Sequence, residues 1–195
     1  MNENFTPEHH LNSPMEDLGS EHPTNHYKFC PRCAAPGSFD REQFSFKCPQ
    51  CGMHFFLNSA AAVTALIHNS NNELLLVRRG VEPSIGMLDL PGGFVDPGES
   101  AETALLRELK EELNVVPDSF SYYVSFPNQY RFSGTTVFTI DLVFKCRVID
   151  FSTLKYMDDV QGIEFIKPEE INLHQIPFLS VKNLLIQLNN ERKNN

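Results

Sequence analysis

From Gly93 to Val115 the chain reads Gly-Phe-Val-Asp-Pro-Gly-Glu, seven further residues, and then Arg107-Glu108-Leu109-Lys110-Glu111-Glu112-Leu113-Asn114-Val115. Pro97 and Gly98 punctuate a loop, Ser100 can cap a helix, and no Gly or Pro interrupts again before Pro117. The stretch therefore predicts a helix from about Ala101 to Leu113. At about 100° per residue, Leu105, Leu106, Leu109 and Leu113 share one arc, while Glu108, Glu111 and Glu112 share the next, beside Ala101 and Ala104. The leucines belong to a core and the carboxylates to a cavity.

Three carboxylates at i, i+3 and i+4 repel one another by about 0.2–0.5 kcal/mol per pair on an exposed helix, and by more in a cleft. Lys110 points away from them and Arg107 is a single local partner, so a divalent cation is the better compensation. Carboxylate oxygens suit a hard ion such as Mg²⁺, which commonly bridges protein carboxylates to substrate phosphates. A solvated acidic face is the competing reading.

The loop before the helix, Leu90-Pro91-Gly92-Gly93-Phe94-Val95, sets two glycines where backbone can approach a ligand or offer a carbonyl to a metal. The whole pattern resembles the Nudix box: Gly, five residues, Glu, seven residues, then Arg-Glu-apolar-x-Glu-Glu-x-Gly-apolar. Asn114 stands in the place of the last Gly, and Asn is the residue next most tolerant of the left-handed conformation that ends a helix. The resemblance implies a Mg²⁺- or Mn²⁺-dependent hydrolase cleaving the pyrophosphate of a nucleoside diphosphate linked to another moiety. Carried over by position, Glu108, Glu111 and Glu112 hold metal or position the attacking water, the Gly92 carbonyl is a further ligand, and Arg107 with Glu99 braces the loop against the helix. Metal bridging two phosphates neutralises developing charge and lowers the pKa of a bound water, so no Ser or Cys nucleophile is required.

Upstream, Cys30-Pro-Arg-Cys33 and Cys48-Pro-Gln-Cys51 are two knuckles separated by fourteen residues. Four thiolates so spaced predict a closed, structural tetrahedral Zn²⁺ site, with Gly52 allowing the tight turn after the second knuckle and Ala34 in the equivalent place after the first. Disulfides and a redox Cys-x-x-Cys are the weaker alternatives. Phe39, Phe44 and Phe46 fall in the hairpin between the knuckles, and Cys146, in an apolar run, reads as a core thiol. Residues 1–25, rich in Asn, Ser and Pro without hydrophobic period, read as a disordered tail whose histidines are incidental. The expected division is thus a tail over 1–25, a zinc ribbon over 26–57 and a hydrolase domain over 58–195. A ribbon directly before such a domain resembles the NADH pyrophosphatase branch of the Nudix superfamily, as do Phe55-Phe56-Leu57-Asn58-Ser59-Ala60 and Ile176-Pro177-Phe178-Leu179-Ser180-Val181.

Residues 60–68 and 73–78, flanking Asn69-Ser70-Asn71-Asn72, predict a hairpin of two buried strands. Further strands are expected over Phe120–Phe126, Thr135–Val148 and Glu164–Ile166, a helical turn at Pro168–Ile171, and a last helix burying Val181, Leu184, Leu185 and Leu188. The fold class is α/β, an α/β/α sandwich with a mixed sheet of the Nudix type, preceded by the ribbon. Arg78 and Arg79, closing the second strand, are candidate phosphate contacts. In Ser125-Phe126-Pro127-Asn128-Gln129-Tyr130-Arg131-Phe132, where the NADH pyrophosphatase branch carries its signature, Phe126, Tyr130 and Phe132 are candidate base-stacking residues.

A net charge of −9 over 195 residues argues against a broad nucleic-acid or membrane footprint. No stretch suits a membrane span and the N-terminus lacks a basic-then-apolar signal, so a cytoplasmic location is expected. The expected partner is a small-molecule nucleoside diphosphate derivative, NAD(H), ADP-ribose, another dinucleotide or a nucleotide sugar, with a homodimer left open. Two other classes compete: a nucleotide-sensing module without catalysis, and nucleic-acid binding through the ribbon. Intact carboxylates oppose the first, and the balance of Lys28, Arg32, Arg41 and Lys47 against Asp40 and Glu42 opposes the second.

Overall fold

The computed structural model describes residues 18–194. Its elements are β1 (Phe39–Asp40), β2 (Ser45–Lys47), β3 (His54–Phe56), β4 (Ala60–Ile67), β5 (Leu74–Arg79), β6 (Leu88–Asp89), β7 (Gly92–Phe94), α1 (Ala101–Leu113), β8 (Ser119–Phe132), β9 (Thr135–Arg147), β10 (Val160–Ile166) and α2 (Leu179–Asn194). None of the described helices is long and apolar enough to cross a membrane.

The main sheet runs β7-β4-β9-β8, with β4 parallel to β9 and the other pairs antiparallel. Alternation along β4 decides what covers each face. Val63, Ala65 and Ile67 pack with Leu105, Leu109 and Leu113 of α1, whereas Leu66 packs with Val181, Leu184, Leu185 and Leu188 of α2. A helix thus lies on each side of the sheet, the expected α/β/α arrangement. Ala104 is buried among the α1 leucines rather than with the carboxylates.

β4 and β5 do not form the hairpin read from the sequence. The Asn69–Asn72 turn is present, with Asn69 bonded to Glu73 through both backbone and side chain, but the strands share only the isolated His68–Leu74 bridge. β5 departs into a second sheet, β10-β5-β6, where Leu74 and Leu76 face the α2 core and Leu75 and Val77 the α1 core. Both edges of β4 are taken by β7 and β9, which leaves β5 to pair elsewhere.

The disorder expected over residues 1–25 lies, for residues 1–17, outside the described residues. Residues 18–25 are ordered instead, as two 3₁₀ turns, Gly19–Glu21 and Pro23–Asn25, with Leu18, Pro23 and Thr24 buried. His22 belongs to no metal-ligand cluster among the described residues, but it is packed in place. Its Nδ1 accepts from the Thr24 amide at 3.3 Å, and its ring lies 5.6 Å from Phe138 of β9 and 6.3 Å from Phe44 of the β1–β2 turn.

Candidate active site

The three-stranded sheet β1-β2-β3 stands beside two cysteine turns of matching geometry. Ala34 and Gly52 both take positive φ, 57° and 72°, and their amides bond back to Cys30 O at 2.9 Å and Cys48 O at 3.1 Å. The Arg32 amide points at Cys30 Sγ and the Cys51 amide at Cys48 Sγ, each at 3.4 Å, donors that favour thiolates. All four sulfurs lie within 4.8 Å of one another and none is in a disulfide. Thiolates at about 2.3 Å around one tetrahedral ion stand about 3.8 Å apart. Cys30–Cys51 at 3.7 Å and Cys33–Cys48 at 3.6 Å match that spacing, so this donor set fits zinc.

The second centre begins at the start of α1. Ser100 caps the helix through the Thr103 amide, and Asn114 ends it in the left-handed conformation, φ 53° and ψ 35°, the geometry its Gly-like position requires. Arg107 gathers the surrounding groups. Its Nε and Nη2 donate to the two oxygens of Glu99 at 3.0 and 2.9 Å, Nη2 also reaches Phe94 O at 3.0 Å, and Nη1 reaches Glu108 Oε1 at 2.8 Å and Glu111 Oε2 at 3.1 Å. Those bonds to Glu99 hold its carboxyl below the usual range and raise the guanidinium pKa further. The pair ties the Phe94–Glu99 loop to the helix.

Glu112, 9% exposed, lies deeper. Burial pushes its carboxyl up to about 8, despite an amide bond from Gly92 to its Oε2 at 3.0 Å and with added repulsion from Glu108, Asp89 and Asp159. That bond follows from register. The bonds from Ala65 N to Pro91 O and from Val95 N to Ala61 O make Gly92–Thr64 a widely spaced pair, so the Gly92 amide and carbonyl both turn away from β4, toward the helix carboxylates. Gly92 has φ 144°, and a Cβ there would stand 2.9 Å from the Val63 carbonyl carbon, so the position demands glycine. Glu108 is also pushed up by burial, against the pull of Arg107.

A cavity of ≈ 270 Å³ opens over β7, β4, β9 and β8 beside these residues. Among the described residues six carboxylates line it, Asp89, Asp96, Glu108, Glu112, Asp141 and Asp159, against the single cationic side chain of Arg79. Arg79 is fixed by Asp89 Oδ2 at 3.1 Å and Pro83 O at 2.8 Å; its Nη2 reaches the Tyr130 hydroxyl at 3.5 Å and its guanidinium carbon lies 4.9 Å from the Phe178 ring centre. Burial raises Asp89 to about 6 even beside this guanidinium. Asp141 is likewise raised by burial, against bonds from Ser180 Oγ at 2.5 Å and Thr139 Oγ1 at 2.7 Å. At one end Tyr130 stacks on Phe178 at 5.5 Å and 22°, and meets Phe94 edge-on at 5.5 Å.

The structure separates several residues that the sequence groups together. Glu108 and Glu112 line the cavity, whereas Glu111 lies outside its lining, its side chain half-exposed and held by Arg107. Arg79 lines it, but Arg78 does not: on the opposite face of β5, Arg78 is bound to Glu164 and to Gly86 O. Of the proposed aromatic platform only Tyr130 reaches the cavity. Phe126 is 6% exposed in the core against α2, and Phe132 is exposed away from the cavity. Asp89, Asp141, Asp159, Phe94 and Phe178 were missed as site residues. A lone Asp141 inside the apolar run Thr135–Val148 was the one local signal. Cys146 is a buried core thiol as expected, raised to about 12 by burial.

Comparison with known proteins bears on both the fold and the site. The NUDIX domain family matches residues 58–186. An ADP-ribose pyrophosphatase of Methanocaldococcus jannaschii is 35% identical over 125 residues, 64% of this chain and 69% of that one. A NAD-capped RNA hydrolase NudC of Chromobacterium violaceum is 31% identical over 99 residues, 51% of this chain but only 37% of the relative. Among solved structures, the NUDIX domain of Shewanella oneidensis NrtR in complex with ADP ribose aligns with TM-score 0.53 and 25% identity, over 70% of this chain and 90% of that one. The MutT protein of Methanosarcina mazei aligns with TM-score 0.55 and 26% identity, over 69% and 96%. With the box residues, the sandwich and these matches in agreement, the chain belongs to the NUDIX family.

Proposed function

We propose that this protein is a divalent-metal-dependent pyrophosphohydrolase that cleaves the diphosphate of a nucleoside diphosphate joined to another moiety, ADP-ribose and NAD(H)-type dinucleotides being the preferred class. The observation that carries this reading is the charge imbalance of the cavity: six carboxylates and one guanidinium beside a glycine strand whose carbonyl is free of the ladder. An anionic diphosphate enters such a cavity only with cations. Glu108, Glu112 and the Gly92 carbonyl are hard oxygens at the cavity and suit Mg²⁺ or Mn²⁺, with Glu111 joining them only on release from Arg107; the ion would supply charge neutralisation and a more acidic water.

The chain's own groups do the rest. Arg79, braced by Asp89 and Pro83 O, is pre-oriented for one phosphate oxygen. Tyr130, Phe178 and Phe94 form a corner into which a nucleobase can stack. Arg107 and Glu99 fix the loop, so that Glu108 and Gly92 keep their spacing as substrate binds. The named substrates of the relatives, ADP-ribose and NAD-capped RNA, share this diphosphate chemistry and support the reading.

The test is release of AMP from ADP-ribose and NADH in the presence of Mg²⁺. Glu112→Gln is expected to keep the fold and lower kcat by at least about 10², the size of a lost metal or acid–base contribution. Binding of these compounds without turnover by the wild-type protein would mean a sensing module instead.

A further inference from the structure

A second crevice, of ≈ 330 Å³, runs between the cysteine ribbon and the main sheet. Its walls are Phe44 and Gln43 from the β1–β2 turn, Phe56 and Asn58 from the strand leaving the ribbon, and Pro127 and Phe138 from β8 and β9. Two further residues, Asn128 and Thr139, line both this crevice and the acidic cavity, so the two spaces share one wall.

Their chemistries are opposite. Among the described residues the cavity holds six carboxylates and an arginine, while no charged side chain lines the crevice, only rings, aliphatic groups, amides and hydroxyls. A phosphate gains nothing there. A flat uncharged heterocycle with donors and acceptors on its edge matches the lining, with rings for its faces and Gln43, Asn58 and Asn128 for its edge. The crevice is also built: Phe44 meets Phe138 edge-on at 6.0 Å, and Phe56, though 56% exposed, is held against the His54 ring at 4.7 Å.

We propose that the ribbon is part of the substrate site, and that this crevice receives the second nucleoside of a dinucleotide whose diphosphate lies in the acidic cavity and whose first base lies on Tyr130 and Phe178. The inference rests on the hydrolase reading and adds a role to the ribbon beyond stability: it selects substrates with a nucleoside at both ends of the diphosphate over those with a bare sugar at one end.

Phe56→Ala and Gln43→Ala change exposed side chains and are expected to leave the melting temperature unchanged. With Mg²⁺, each is expected to raise KM for diadenosine diphosphate by about tenfold, the scale of one lost base-stacking contact for Phe56 and of one lost hydrogen bond for Gln43, while KM for ADP-ribose stays within about twofold. Equal effects on both substrates, or none on either, overturn the proposal. If the wild-type protein hydrolyses neither compound, the hydrolase reading falls and adenosine alone decides the crevice. Amide shifts at Gln43, Asn58 and Phe138 on titration with adenosine, lost in Phe56→Ala, sustain it, and shifts confined to Tyr130 and Phe178, or none, reject it.

Discussion

Gly93 and Glu108 touch where a side chain would intervene: a Cβ on Gly93 would stand 2.6 Å from Glu108 Cδ, closer than real Cβ atoms approach. Because the obstructing group is the end of a flexible side chain, Gly93→Ala is expected to push the carboxylate aside at little cost in stability. Gly92→Ala meets backbone instead, at a φ of 144°, and should cost about 1–3 kcal/mol. Kinetics and melting curves separate the two. Gly93→Ala should lower kcat at least about tenfold with a nearly unchanged melting temperature, a loss of about 1.4 kcal/mol in transition-state stabilisation; the assignment of Glu108 to the site fails if its turnover is that of wild type.

Tyr130 and Phe126 lie on the same face of β8, four residues apart, yet have different neighbours. Phe126→Ala should cost about 3–5 kcal/mol of stability, as for a ring removed from a core. Tyr130→Ala removes a ring that lines the cavity against Phe178 and should raise KM for an adenine-containing diphosphate with a small change in melting temperature. The reverse pattern would show that the aromatic corner has no part in binding.

Freshly prepared, reduced protein should contain one zinc ion per chain by metal analysis. Cys48→Ser should expose the amides of β1–β3 to hydrogen exchange before those of β4 and α1, since this small sheet has little core beyond Phe46 and the cysteines themselves. Protein without zinc that keeps those amides protected would rule out the metal as the ribbon's main support.

Asp89 gives a pH dependence whose sign can be worked out. Its folded-state pKa of about 6 exceeds the ordinary 3.8, so between about pH 4 and 6 the folded protein keeps a proton that the unfolded chain has lost. Stability must therefore fall as pH rises through this window, by at most about 3 kcal/mol, and by less because the side chain keeps 14% of its surface in water. Urea unfolding at pH 4.5 and 7 should show this loss in wild type and a reduced one in Asp89→Asn. Identical pH dependence in both would refute the assignment.

The parts read correctly from the sequence are those whose determinants are local. α1 announces itself by a cap, a 3.6-residue period and an Asn at its end, and the knuckles by spacing alone. The cavity is different, because Arg79, Asp89, Tyr130, Asp141 and Phe178 meet through β5, β6, β8, β9 and the approach to α2, a convergence no window of sequence contains. Period-two alternation places Phe126 and Tyr130 on one face but cannot say where α2 stops covering it. Arg78 and Arg79 show the same alternation with the opposite consequence, since one step along β5 turns a guanidinium from the cavity to Glu164. The Asn69–Asn72 turn is present, but a turn between two apolar runs does not oblige them to pair when both edges of β4 are already taken.

The parallel pairing of β4 with β9 has a consequence for how the protein is made. Gly92 is held against Thr64 of β4, and β4 in turn is aligned with residues from Thr139 to Cys146. During synthesis the glycine strand and the glutamate helix therefore leave the ribosome well before the strand that completes their support. Contacts so distant in sequence form slowly. The acidic helix spends that interval without its final setting, and the cavity is complete only once β9 and the approach to α2 have been added.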